Sequence, residues 1–175
     1  MSHAKDSNIG AGGHWDHESE IPDHAMEMQA GPFHCFAACA AAVLRQRGVS
    51  IEQSALAAKL GVPTPWCDLM VDELNLHDPH FLWTRDWLDP NYPTEAADVL
   101  ANRLPCIAFF KEFGNKYLHA VVVAAFLSRK RWLIRDPWNT HGAPSQYVMR
   151  PAHLSNPQHG WTGLILYVAR PRLTP

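Results

Sequence analysis

The chain has 175 residues, 47% of them hydrophobic and 10% aromatic, which suits one domain with its own apolar core and excludes a chain disordered as a whole. A formal net charge of -2 removes the general electrostatic basis for nucleic acid or an anionic membrane surface as a partner. No signal-peptide core is visible in MSHAKDSNIGAGGHWDHESE, and the longest apolar runs, around 106–110 and 120–127, fall short of the roughly 20 residues of a membrane-spanning helix. The expectation is a protein without membrane insertion, cytoplasmic or exported by a signal-peptide-independent system.

Residues 1 to about 25 are polar, rich in Gly and His, and show neither helical nor strand period, so they are expected to form a flexible or loosely docked arm ahead of a single domain over 26–175. His3, His14, His17 and His24 lack compact ligand spacing and give no metal site. A loop with Gly31 and Pro32 then runs into CFAACAAAVLRQRG, a helix from Cys35 to about Arg47 closed by Gly48, with Arg45 and Arg47 in its last turn. Its small residues at 37, 38 and 40–42 suit close packing inside the domain. Ser50 begins a second helix with an apolar face of Leu56, Ala57 and Leu60 and an end at Gly61. Beyond Pro63 and Pro65, a third helix is expected from Trp66 to about Leu74. The stretch HDPHFLWTRDWLDPNYP, 77–93, combines prolines with large aromatics and reads as an irregular segment, either lining a groove or forming a packed surface excursion. Thr94 caps a short helix to about Asn102.

The period then changes. Cys106–Phe110 reads as a buried strand, His119–Phe126 as a strand apolar on both faces, and Arg131–Ile134 as its partner across a hairpin turn at 128–130. Gln146–Met149 and Leu164–Ala169 complete an antiparallel sheet. Helices first and strands second give an α+β class.

Cys35 is the chemically informative residue. At a helix start the backbone N–H groups lack intrahelical partners and the macrodipole is positive, so a thiolate is favoured there. His119 stands at the mouth of an otherwise apolar strand, and the hairpin brings it near 138 or 139, within one or two residues of Asp136 or Asn139. A Cys–His pair with an orienting carboxylate is the arrangement that makes a thiol nucleophilic. Negative charge developing on a substrate carbonyl needs donors; the Cys35 N–H supplies one and the side-chain amide of Gln29, six residues upstream, another. Cys39 lies one turn inside the helix, where its N–H is committed to the backbone ladder; with Cys67 and Cys106 it is expected to be structural and reduced. A zinc site of Cys35, Cys39 and His119 has no second compact ligand pair to support it, and no cofactor is expected.

The order Gln29, Cys35, His119, Asp136, with five residues between Gln29 and Cys35, resembles the papain-like cysteine peptidase superfamily. More narrowly, CFAACAAAVLRQRGVSIEQSALAAKLGV, LPCIAFF, LHAVVV and RWLIRDPW resemble successive blocks of the double-glycine leader peptidases of bacteriocin exporters and their stand-alone relatives, over about Gln29 to Trp138. Where those enzymes usually carry Asp-Cys-Gly, this chain has His34-Cys35-Phe36, nearer to papain-like bacterial effector proteases. The resemblance implies a papain-like fold with a central nucleophile helix packed on a C-terminal antiparallel sheet. It also implies Cys35 as nucleophile, His119 as general base and acid, Asp136 as orienter and Gln29 as oxyanion donor. The implied activity is a cysteine peptidase acting on a polypeptide, with an effector or toxin role and an inhibitor or immunity protein as further expectations. Deamidation, amine transfer and cell-wall peptide cleavage use the same groups, and a noncatalytic peptide-binding domain of the same fold is the reading from another class.

Overall fold

The computed structural model describes residues 17–62, 64, 67–111, 118–140, 142–158 and 160–173, without the side chains of 139 and 140. Three helices, α1 (Cys35–Gln46), α2 (Gln53–Leu60) and α3 (Cys67–His77), precede most of the sheet. The strands are β1 (Glu18–Pro22), β2 (Phe81–Trp87), β3 (Cys106–Phe110), β4 (His119–Ser128), β5 (Arg131–Thr140), β6 (Ala143–Met149) and β7 (Trp161–Pro171), with α4 (Pro93–Leu100) and α5 (Pro151–Leu154) between them. Among the described residues all seven strands form one antiparallel sheet in the order β1-β6-β5-β4-β3-β7-β2, which is the α+β arrangement expected.

Strand alternation divides the core in two. Ile107, Phe109, Ala120, Val122, Leu164 and Leu166 pack with α1, α2 and α3, while Ala108, Phe110, Val121, Val123, Trp132 and Ile165 pack with α4 and α5. The central strands are buried on both faces and therefore read as unbroken apolar runs. Helix α1 is buried from Cys35 to Leu44, with Arg45 and Gln46 of its last turn exposed. Its alanines bring the backbone close to the sheet, and Phe36 fills the remaining space by stacking on Phe109 at 6.3 Å between ring centroids. The helix closes with the paired bonds of a Schellman turn, Val49 N–H to the Leu44 carbonyl at 3.0 Å and Gly48 N–H to the Arg45 carbonyl at 3.0 Å. Gly48 takes φ +81°, a conformation that a side chain disfavours.

Three expectations change. Residues 18–22 belong not to an arm but to β1, which pairs with β6; the arm over 1–16, with His3 and His14, lies outside the described residues, as do Pro63, Pro65 and Trp66. The 77–93 stretch contains β2, which pairs with β7 along Phe81–Trp87. Trp83 is only 3% exposed there, and Arg47 lies over the Phe81 and Trp83 rings at 4.5 and 5.3 Å. Those two aromatics therefore serve the core and not a groove. Finally, α2 starts at Gln53 with Glu52 as its cap residue, and α4 starts at Pro93, so neither Ser50 nor Thr94 is the cap. Proline is well suited to that first helical position, because its missing N–H would have no intrahelical partner.

Candidate active site

The loop before α1 is held at both sides. Gln29 N–H donates to the Pro137 carbonyl on β5, 2.9 Å away. From the helix side, the Gln53 amide donates to Glu27 Oε1 at 2.9 Å and the Met28 carbonyl at 2.7 Å, and its oxygen accepts Ala30 N–H at 2.9 Å. Gln53 is thus a clamp on the segment leading to Cys35, a role its position near a helix start did not signal. His34 is the cap residue, makes no side-chain capping bond, and is followed by a first turn without acidic residues. Nothing on the helix itself offsets the partial positive charge at Cys35.

His119 is the first residue of β4 and Asp136 lies on β5, both 0% exposed. The pairing of Val122 with Arg135, continued toward the start of β4, sets His119 opposite position 138 and diagonal to Asp136. Irregularities at 123–125 and 126–128 shift the register along the hairpin to this alignment. His119 Nε2–H donates to Asp136 Oδ1 at 2.7 Å, and the Cys35 side chain is a near neighbour of the ring, close enough to favour its charged form. Of the two residues that the hairpin left open, Asp136 is hydrogen-bonded to the histidine; the Asn139 side chain lies outside the described residues.

The Asp136 carboxylate also accepts Trp138 N–H on Oδ1 at 2.9 Å and the Tyr147 hydroxyl on Oδ2 at 2.7 Å. Burial disfavours a charged His119, but the charge and hydrogen bond of Asp136, with a further contribution from the neighbouring Cys35, outweigh it and raise its pKa from 6.5 to about 9. In the next turn, burial and then the neighbouring Cys35 and Asp136 push the Cys39 thiol well above its ordinary range. Burial likewise raises Cys106. Both are inert neutral thiols in this setting.

Gln29 is 7% exposed and its amide turns toward its own loop, donating to the carbonyls of Gly31 at 2.7 Å and Pro32 at 3.3 Å. The structure therefore gathers Cys35, His119 and Asp136 directly, and sets Gln29 in the loop that abuts them. Tyr147 was not among the candidates from sequence. Its only signal is register: Asp136 pairs with Ser145, so Tyr147 is the diagonal neighbour on the next strand. Among the described residues, no group of three His, Cys, Asp or Glu side chains is arranged to hold a metal ion, and no helix is long and apolar enough to cross a membrane.

No protein-family model and no curated protein sequence matches the chain. Solved structures do. A double glycine motif protease from an AMS/PCAT transporter, in complex with the leader peptide, superposes with a TM-score of 0.58 at 16% identity, over 89% of this chain and 94% of that one. The peptidase domain of Streptococcus ComA, a bifunctional ABC transporter of a quorum-sensing pathway, gives 0.62 at 18% identity, over 85% and 99%. A C39-like peptidase from Bacillus anthracis gives 0.53 at 11% identity, over 89% and 100%. The fold is thus papain-like. Within that class it is the fold of the C39 double-glycine peptidase domains, to which these neighbours belong, as the sequence blocks suggested.

Proposed function

We propose that the chain is a thiol hydrolase that cleaves peptide or isopeptide bonds in a polypeptide through an acyl-enzyme on Cys35. The observation that carries this reading is the buried His119–Asp136 hydrogen bond of 2.7 Å at the start of the helix that Cys35 opens. Asp136 occupies Nε2, so the other ring nitrogen, Nδ1, serves the sulfur. His119 takes the thiol proton, Cys35 Sγ adds to the substrate carbonyl carbon, and the carbonyl oxygen becomes an oxyanion. The Cys35 N–H donates to that oxyanion. Gln29 joins it with the amide proton now directed along the longer contact to Pro32, while the 2.7 Å bond to Gly31 keeps the side chain in place. The imidazolium then protonates the leaving amine, the C–N bond breaks and a thioester remains. Water gives a proton to His119 as it attacks the thioester, and the thiol returns with the carboxylic acid product. A polypeptide is favoured as substrate because a structural neighbour is a protease solved with a leader peptide.

The test is digestion of a peptide library by the wild-type protein and by Cys35→Ala, read by mass spectrometry. New termini made by the wild type alone support hydrolysis. Products gaining about one mass unit, or an amine adduct, without new termini would replace hydrolysis by deamidation or transfer. No Cys35-dependent product at all would overturn the proposal.

A further inference from the structure

We infer that Tyr147 is a positioning residue for the reaction: its hydroxyl fixes the Asp136 carboxylate so that Oδ1 faces His119, and thereby sets the proton affinity of the histidine. The inference rests on the hydrolase reading of Cys35 and His119 and extends their chain of contacts by one strand.

The geometry is a diagonal ladder over three adjacent strands. Asp136 on β5 is the centre; His119 on β4 and Tyr147 on β6 are its diagonal neighbours on either side, on one face of the sheet. Each neighbour takes a different oxygen, His119 Nε2 on Oδ1 and the Tyr147 hydroxyl on Oδ2, both at 2.7 Å. Asp136 is 0% exposed and Tyr147 1%, so water does not substitute for the phenol. With Oδ2 anchored, rotation of the carboxylate about its terminal torsion, which is intrinsically soft, is blocked. A donor to the carboxylate also favours its charged form, and that charge is what holds the imidazolium.

Tyr147 is itself held. The His17 ring packs against it at 4.5 Å between centroids, and His17 Nε2 contacts Glu20 Oε2 at 2.8 Å. The ring behind the phenol thus comes from the segment leading into β1, which pairs with β6. Other charges close to the ladder are already engaged: Arg135 makes a two-pronged contact to Asp23, Nε to Oδ2 at 2.6 Å and a terminal guanidinium nitrogen to Oδ1 at 3.1 Å. On the side of α1 the titratable neighbours are the Cys35 and Cys39 thiols. Among these groups, the phenol is the one that donates to Oδ2.

The experiment uses the full chain and Tyr147→Phe, which removes one oxygen and keeps the ring. Titration of His119 by NMR with nitrogen-15-labelled histidine reads the coupling whether or not Cys35 is reactive. A fall of about one unit or more in the His119 pKa is expected. Alkylation of Cys35 at neutral pH should slow by about 10- to 100-fold, the range for losing a hydrogen bond to a charged group. In an Asp136→Asn background, Tyr147→Phe should add no further shift in His119, because its effect passes through the carboxylate. An unchanged His119 titration with merely lowered thermal stability would overturn the inference and leave the hydrolase reading standing. A wild-type Cys35 no more reactive than free cysteine would instead count against the hydrolase reading, while the titration would still decide the part played by Tyr147.

Discussion

Raising the pH should destabilise the protein in part through one buried group, His119. Its pKa is raised in the folded state, from 6.5 to about 9, so its contribution to stability is fully present below about pH 6.5 and is lost as pH climbs through about 9. The interval from 6.5 to about 9, at about 1.4 kcal/mol per pH unit, gives about 3 kcal/mol. Other titrations act on the same scale, so the useful quantity is a difference. Urea unfolding of the wild type and of His119→Gln should be compared between about pH 5.5 and about pH 10. The substitution removes the titrating imidazole, with a fixed packing cost that does not depend on pH. The wild-type advantage should be flat in acid and shrink by about 3 kcal/mol across the window. A difference independent of pH would show that His119 does not bind its proton more tightly when folded, and the thiolate–imidazolium account would lose its electrostatic basis. A difference that grew with pH would mean that burial outweighs Asp136, the reverse of the order argued for the site.

Further expectations follow from packing and burial. A Cβ at Gly163, where φ is +90°, would lie 2.1 Å from the Leu88 carbonyl oxygen, so Gly163→Ala should cost at least about 2 kcal/mol in urea unfolding. Asn75 covers the outer edge of β2 by donating to the Trp83 carbonyl at 3.0 Å and accepting its N–H at 2.7 Å. Asn75→Ala should therefore cost about 1–3 kcal/mol in thermal or urea unfolding and increase self-association measured by light scattering. In native alkylation followed by peptide mapping, Cys39 and Cys106, both 0% exposed, should stay unlabelled until the protein unfolds.

What was legible in the sequence was local or carried by one hairpin. The loop-to-helix passage at Cys35, the apolar runs of β3 and β4, and the turn at 128–130 are short-range patterns, and they were enough to bring His119 and Asp136 together. Strands β1 and β2 were not legible, because each is made a strand by a distant partner. Glu18 pairs with Val148 and Trp83 with Val168, and neither segment shows strand alternation of its own. Gln53 looked like a residue of a first helical turn; only the return of 27–30 onto α2 turns it into a clamp. Tyr147 illustrates the same limit within the site: an aromatic in a half-apolar strand signals core, and its bond to Asp136 depends on a register between β5 and β6 that sequence period alone leaves free. Gln29 shows the opposite case, a spacing legible from sequence whose amide nevertheless bonds to Gly31 and Pro32.

The most direct measurement for the central claim is the rate of iodoacetamide labelling at Cys35, followed by mass spectrometry as a function of pH in the wild type and in His119→Ala. The account predicts labelling at neutral pH much faster than that of free cysteine, and a loss of that advantage in the variant. Labelling no faster than free cysteine in the wild type, or equal rates in the two proteins, would contradict it.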